Sequence, residues 1–169
     1  RELALQIAKD AADLGKYAGL SVVTLVGGMD YEKQRKQLAA APVDIIVATP
    51  GRLIDFANKQ EIYLDQVELL VIDEADRMLD MGFIHDVKKV LALVPKDKQS
   101  LLFSATFSDE IRELAANLLK NPQSIQVTPS NTTVQRITQV IHPVGRGKKK
   151  DVLLHIIQKH DWSQIGRAH

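Results

Sequence analysis

Three carboxylates follow an apolar run in the segment VELLVIDEADRMLD, residues 67–80. Asp73 and Glu74 stand where the run ends, and Asp76 lies two positions farther on. A carboxylate at the tip of a buried strand can hold Mg²⁺, normally through water because that ion keeps much of its hydration shell. A second carboxylate beside it can orient or deprotonate an attacking water. This division of labour, with metal on the phosphates and a carboxylate at the nucleophile, is typical of phosphoryl transfer.

Three other apolar runs also end in small or polar residues. These ends are GG at 27–28, TPGR at 49–52 and SAT at 104–106. Glycines let backbone N–H groups approach an anion, and helix N-termini add partial positive charge. The carboxyl ends of strands in an open parallel sheet share one edge, where ligands bind. The pattern therefore predicts one sheet edge that carries Gly27, Thr49, Asp73 and Ser104.

The elements that position these residues alternate along the chain. Amphipathic spacing predicts helices near residues 1–19, 30–41, 50–60, 83–95, 108–121 and 148–160. Runs that are apolar throughout predict strands near 20–27, 43–48, 67–72, 99–104, 124–129 and 137–144. Because parallel strands buried on both faces have this composition, we expect an α/β fold with helices on both sides of a parallel sheet.

Composition narrows the classes of protein that the chain can represent. Hydrophobic residues make up 45% of the 169 positions, and the net charge is +1, so a nucleic-acid partner must be held by a local patch. The absence of cysteine excludes disulfides and thiolate metal sites. No apolar run approaches the roughly 20 residues that span a bilayer. We therefore expect a cytoplasmic protein without a membrane partner.

The segment VIDEADRMLDMGF resembles the signature of DEAD-box ATP-dependent RNA helicases. RELA at 1–4, GG at 27–28, TPGR at 49–52 and SAT at 104–106 are similar to further motifs of that family, in the same order. The resemblance covers residues 1–160, and NTTVQRITQVIHPV is most similar to bacterial members of the RhlE type. It implies a RecA-like domain at 1–128, a linker at 129–135 and the beginning of a second, incomplete RecA-like domain at 136–169.

The resemblance also implies roles for individual residues. Asp73 and Glu74 serve ATP and its Mg²⁺, which Asp73 binds through water. Asp76 contacts the SAT segment, in which Ser104 and Thr106 couple the state of ATP to RNA binding and to closure against the second RecA-like domain.

A further set matches positions that grip RNA by its sugar–phosphate backbone. This set comprises Arg1, Gly27, Gly28, Thr49, Gly51 and Arg52. Contacts of this kind carry no base information, so the implied partner is RNA of any sequence.

One motif of the family is missing from the 169 residues. The Walker A loop, Gly-x-x-x-x-Gly-Lys-[Ser/Thr], holds the phosphates of ATP. Gly15-Lys16 has Asp10 where the first glycine belongs, and Gly147-Lys148 has His142 there. We therefore expect a partial chain, truncated at both ends, that lacks the Walker A strand, loop and helix of its first domain and does not turn over ATP alone.

Two alternatives remain open from the sequence. The first is a catalytically silent module that binds RNA or protein with the same fold. The second is a Mg²⁺ nuclease built on Asp73, Glu74 and Asp76, which would need acids from other strands.

Arg77 and Asp80, three residues apart, are predicted to form a pair on the surface of a helix.

Overall fold

The computed structural model describes residues 1–127 and 140–163. The chain divides into two compact units, Arg1–Ser130 and Asn131–His169. The predicted linker at 129–135 lies outside the described residues, so its boundaries stay a prediction.

Up to residue 118, the first unit has the predicted helices and strands in order, together with one short helix at 75–80 that the predicted elements do not include. The helices are α1 (Glu2–Gly15), α2 (Tyr31–Ala40), α3 (Pro50–Asn58), α4 (Ala75–Asp80), α5 (Ile84–Leu93) and α6 (Asp109–Leu118). The strands are β1 (Val22–Leu25), β2 (Ile45–Ala48), β3 (Leu69–Ile72) and β4 (Gln99–Leu102). A 3₁₀ turn, Lys16–Ala18, extends α1 and ends at Gly19, whose φ of 70° is a conformation that favours glycine.

Local side chains determine where several helices begin. The Asp30 carboxylate accepts the backbone N–H of Lys33 at 2.9 Å and caps α2. The Ser108 hydroxyl accepts the N–H of Ile111 at 3.4 Å and caps α6. Pro50 occupies the first turn of α3, where a missing N–H costs nothing.

The four strands form two parallel pairs. β1 pairs with β2, with Leu25 opposite Ala48, and β3 pairs with β4, with Ile72 opposite Leu102. The prediction of one continuous sheet edge through all four strands is therefore wrong for the part of the chain that the structure describes. Apolar composition indicates that a strand is buried, but it does not encode which strand donates hydrogen bonds to it.

The two pairs are connected by side-chain packing. One cluster of buried residues lies on β1 and α3 and their neighbours: Val23, Leu25, Phe56, Ile62, Leu64 and Val94. The other lies on β3, α4, α5 and α6: Ile72, Ala75, Val87, Ile111, Leu114 and Leu118. Leu70 of β3 packs against both clusters. Because burial of each such side chain contributes roughly 1.5–3 kcal/mol, this packing holds the pairs in one unit.

The strand predicted at 124–129 is absent from its described part, residues 124–127. Ile125 and Val127 are 87% and 96% exposed. An apolar run becomes a strand only where a neighbouring strand satisfies its backbone, and none pairs with this segment among the described residues.

The second unit is described over residues 140–163. It contains a 3₁₀ turn, Arg146–Lys148, and α7 (Lys149–His160), the helix predicted at 148–160. Residues 140–144 form no strand, and the start of the strand predicted at 137–144 lies outside the described residues. Across the described ranges of both units, no helix is long and apolar enough to cross a membrane.

Candidate functional site

Asp73 and Glu74 lie at the carboxyl end of β3, beside the end of β4. The Phe103 N–H donates to the Ile72 carbonyl at 2.8 Å, and the Ala75 N–H donates to the Phe103 carbonyl at 3.0 Å. The strand pairing therefore continues past β3 on both sides of the two acids. Asp73 and Ser104 consequently lie at the same end of this strand pair, as parallel register requires.

Glu74 has an unusual backbone conformation. Its φ of 49° and ψ of 51° lie in the left-handed region, which costs a non-glycine residue about 1–2 kcal/mol. The Asp73 carboxylate accepts the Glu74 N–H at 2.9 Å. Glu74 Oε2 lies 3.2 Å from Arg77 Nη1. Arg77 therefore pairs with Glu74, and the predicted pair of Arg77 with Asp80 is wrong. The start of α4 allows this pairing because Glu74 precedes the helix and faces its first turn.

Asp76, Ser104 and Thr106 form a closed set of hydrogen bonds, which we call the Asp76 junction. The Thr106 N–H and hydroxyl both donate to Asp76 Oδ2, each at 2.9 Å. The Asp76 N–H donates to the Ser104 hydroxyl at 3.2 Å, and that hydroxyl donates to the Thr106 carbonyl at 2.7 Å. The junction therefore ties the first turn of α4 to the segment that follows β4.

Two opposing effects act on the pKa of Asp76. Partial burial raises the pKa, because it disfavours the charged form. Hydrogen bonds from the Thr106 hydroxyl and from the N–H groups of Arg77 and Thr106 favour the carboxylate and outweigh burial. The pKa of Asp76 therefore lies below its ordinary value, and the group stays ionised at neutral pH.

The donor set at the tip of β3 fits magnesium held through water. Asp73 is half-buried, and its hydrogen bond to the Glu74 N–H engages only Oδ1. Mg²⁺ in phosphate sites is bound by one or two carboxylates together with waters and phosphate oxygens. Within the described ranges, no group of three His, Asp or Glu residues could enclose a metal. The arrangement suits a metal that arrives with a phosphate substrate, and it gives the nuclease alternative no support.

The second group of candidate residues meets at the loop after β1, residues 27–30, which we call the glycine loop. The Gly27 N–H donates to the Thr49 hydroxyl at 3.3 Å. Both Nη atoms of Arg52 donate to the Met29 carbonyl at 3.2 Å. The loop is thus connected to the residue before α3 and to its first turn.

Arg1 also lies against the glycine loop. A Cβ atom on Gly28 would approach Arg1 Nη1 to 3.0 Å, and Gly28 has a φ of 75°. The backbone angle favours glycine there, whereas the contact involves the end of a flexible side chain that can move aside. Gly51 is exposed in the first turn of α3, and a Cβ on it would face Asp86 of α5 at 3.9 Å. The structure therefore brings Arg1 to the loop and places Gly51 beside Asp86 of α5.

Sequence reasoning missed two residues beneath this group. The Tyr31 ring stacks on Phe56 with centroids 4.4 Å apart, and Arg52 Cζ lies 5.4 Å from the centre of the same ring. Gln34 is buried and bonds to the backbone on both sides of the glycine loop. The available signal was that Arg52 and Phe56, four residues apart, share a face of α3. Nothing in the sequence places Tyr31 or Gln34 opposite them.

The candidate residues thus form two groups. Within residues 1–127, no hydrogen bond connects the glycine loop and its partners with Asp73, Glu74 or the Asp76 junction. One group offers carboxylates and hydroxyls, and the other offers guanidinium and backbone N–H donors. Their chemistry differs accordingly: the first suits a metal-bound phosphate substrate, and the second suits an anionic polymer.

The profile of the DEAD/DEAH box helicase family matches residues 1–114. The chain belongs to this family. It is 47% identical to "ATP-dependent RNA helicase RhlB" of Pseudomonas aeruginosa over 98% of this chain and 42% of that protein. It is 41% identical to "DEAD-box ATP-dependent RNA helicase CshA" of Bacillus cereus, over 93% of this chain and 30% of that protein.

Solved structures agree with this assignment. A hypothetical ATP-dependent RNA helicase from Sulfolobus tokodaii is 42% identical, with a TM-score of 0.69 over 73% of this chain and 37% of that chain. The yeast DEAD-box splicing factor Prp28 is 36% identical, with a TM-score of 0.67 over 71% of this chain and 29% of that chain. The predicted RecA-like α/β fold and the DEAD-box family are confirmed, and the narrower RhlE type stays a prediction. The DEAD-box chain spans less than half the length of these relatives.

Proposed function

We propose that this chain is part of an ATP-dependent RNA helicase that couples ATP binding and hydrolysis to RNA unwinding without sequence preference. The Asp76 junction carries the proposal. It connects the helix that follows the candidate nucleotide acids to the Ser-Ala-Thr segment through Asp76 and Thr106. Membership of the DEAD/DEAH box helicase family and the names of the relatives support it.

On the nucleotide side, Asp73 and Glu74 divide the work. Asp73 would hold the Mg²⁺ of Mg²⁺–ATP through water, and the ion supplies neutralisation of charge on the phosphate oxygens. Glu74 would orient the attacking water and accept its proton. The hydrogen bond from the Glu74 N–H to Asp73 holds the two carboxylates in a defined relation.

The Asp76 junction would transmit the state of the nucleotide. Asp76 is in the turn of α4 that begins directly after Glu74, so movement at the nucleotide acids changes its three bonds to Ser104 and Thr106. Ser104 and Thr106 would then link ATP to RNA binding and to closure against a second RecA-like domain. We place the start of that domain at 136–169 and the protein in the cytoplasm.

On the RNA side, the glycine loop and α3 would hold the sugar–phosphate backbone. Arg52 would supply positive charge, and Thr49 a hydroxyl at the start of α3. Arg1 would add a second guanidinium, which in the free chain pairs with Glu2 at 3.2 Å and would have to exchange that partner for a phosphate. The exposed Gly51 lets a phosphate approach the backbone N–H groups of the first turn of α3. Because backbone contacts are independent of base identity, RNA of any sequence would bind.

The test is Glu74→Gln in the full-length protein that contains this chain. Glutamine keeps the size of the side chain but cannot accept a proton, so ATP binding should persist. RNA-stimulated ATP hydrolysis should fall by about 10²-fold or more, as for loss of a positioned base. Glu68→Gln, an exposed change just before β3, is the matched control and should hydrolyse ATP normally.

Two results would contradict the proposal differently. Wild-type turnover in Glu74→Gln would remove Glu74 from the chemistry. A wild-type protein that binds RNA but never hydrolyses ATP would instead support a catalytically silent RNA-binding module.

A further inference from the structure

Gln34 is the one buried polar side chain among the residues that the structure describes, with 3% of its surface exposed. It lies in α2, whose neighbouring positions Lys33, Arg35 and Lys36 are exposed. A buried amide costs free energy unless its hydrogen bonds are satisfied, so its environment indicates what it does.

The Gln34 amide bonds to the backbone at both ends of the glycine loop. Its Oε1 accepts the Val26 N–H at 2.9 Å, and its Nε2 donates to the Val26 carbonyl at 3.1 Å. Nε2 also lies 3.3 Å from the Asp30 carbonyl, to which it donates. Val26 precedes the loop and is fully buried, and Asp30 ends the loop and caps α2. One side chain therefore closes the loop between its two ends.

The loop that Gln34 closes carries the contacts of three candidate RNA-binding residues. Thr49 bonds to Gly27, Arg52 bonds to Met29, and Arg1 lies against Gly28. If the loop shifts, the acceptor that orients the Arg52 guanidinium shifts with it. The positions of these groups thus depend on an amide that no solvent-borne ligand reaches.

We propose that Gln34 is a positioning residue for RNA binding: it holds the glycine loop in the conformation that presents Arg1, Thr49 and Arg52 to the RNA backbone. This inference rests on the RNA-binding part of the proposed function. An apolar side chain of similar length would fill the same space without the cost of a buried amide, so the hydrogen bonds, and not packing alone, account for glutamine here.

The first test compares Gln34→Met with wild type in the 169-residue chain, using a fluorescent single-stranded oligouridine as the probe. Methionine keeps the length of the side chain and removes all three hydrogen bonds. The dissociation constant should rise about tenfold, the equivalent of roughly one to two net hydrogen bonds. Gln37→Met, an exposed change one turn away in α2, should leave affinity unchanged.

The second test, Gln34→Glu, gives a readout that a purely structural role would not move. The ionised carboxylate can accept the Val26 N–H but repels the Val26 and Asp30 carbonyls. Protonation of the carboxylate restores a hydrogen-bond donor, and burial raises the pKa of such a carboxyl. As the pH is lowered from about 8 to about 5.5, the RNA affinity of Gln34→Glu should therefore rise towards that of wild type.

The possible outcomes distinguish the positioning role of Gln34 from RNA binding by the chain. RNA affinity within twofold of wild type in folded Gln34→Met, or a ratio of Gln34→Glu to wild-type affinity that does not change with pH, overturns the role of Gln34 alone. If Gln34→Met does not fold, the pH profile of Gln34→Glu decides, and failure of both to fold makes Gln34 a residue of global stability. A wild-type chain that does not bind the oligouridine overturns the RNA-binding proposal, and this inference falls with it.

Discussion

At the scale of single residues, Arg52 is held in place by contacts that use only some of its N–H donors. Two of its N–H groups bond to the Met29 carbonyl, and its guanidinium lies over the Tyr31 ring. Arginine carries five N–H donors, so others remain for a phosphate. In the proposed function Arg52 would therefore offer its charge to RNA in a fixed place, with little rotamer entropy left to lose.

Arg52→Ala should therefore weaken RNA binding by the chain equally for all sequences. Each charge that neutralises a phosphate on single strands contributes about −0.7 to the slope of log K against log salt, so the slope should become shallower by about that amount. Titrations of several homopolymeric RNAs over a range of salt concentrations measure both quantities.

Arg112→Ala is the control, because Arg112 is an exposed arginine on α6 away from the glycine loop. It should leave the salt slope unchanged. An altered order of preference among RNA sequences, with the slope intact, would show that Arg52 reads bases and does not grip the backbone.

At the scale of elements, the Asp76 junction fastens α4 to the segment between β4 and α6. The bonds run from the first turn of one helix to a loop that is 28 to 30 residues away in sequence. These bonds hold β3, β4 and the six-residue helix α4 together. The stability of this part of the chain should depend on the charge of Asp76.

Asp76→Asn should lower the free energy of unfolding at pH 7 by about 1 kcal/mol, because the amide is a weaker acceptor than the carboxylate. The pKa of Asp76 in the folded chain lies below its ordinary value of 3.8. On acidification, the unfolded chain therefore takes up the proton first. The stabilising contribution is fully present above that ordinary value and is lost as the pH falls through the lower folded pKa.

Urea unfolding at several pH values checks this expectation. The difference between Asp76→Asn and wild type should shrink as the pH falls below about 4. Asp80→Asn, an exposed change at the end of the same helix, should stay within about 0.5 kcal/mol of wild type throughout. A difference for Asp76→Asn that is constant down to strong acid would contradict the role of its charge.

At the scale of the whole molecule, nucleotide chemistry requires more parts than these residues contain. In the proposed mechanism Asp73 and Glu74 would act on the metal and the water, but neither Gly-Lys pair of the sequence is part of a Walker A loop. Phosphoryl transfer depends on positioning and charge stabilisation from several groups at once. The 169 residues offer only some of them.

We therefore expect that the purified 169-residue chain does not turn over ATP in the presence of Mg²⁺ and single-stranded RNA. Phosphate release measured against the Asp73→Ala variant provides the background, and both should give the same rate. RNA-stimulated release that disappears in Asp73→Ala would reveal a phosphate cradle elsewhere in the chain.

Much of the architecture followed from the sequence. Helical spacing and uniformly apolar runs located the elements of the first unit other than α4, because local propensity and burial act over a few residues at a time. The motifs around Asp73, Thr49 and Ser104 pointed to the DEAD-box family, which the family profile confirms. The sequence also placed Asp76 with the Ser-Ala-Thr segment, through the resemblance.

Only the tertiary structure decided which strands pair and which side chains come into contact. It separated the strands into two parallel pairs, left residues 124–127 without a strand, and paired Arg77 with Glu74. It also placed Gln34 beneath the glycine loop, where a polar residue in a polar helix gives no signal of burial. For the strand pairs and for residues 124–127, the reason is that spacing encodes which face of an element is apolar, whereas the partner of that face depends on contacts between residues that are distant in sequence. Arg77 and Gln34 have partners only three to eight residues away, and there the local backbone conformation at Glu74 and in the glycine loop decides the contact.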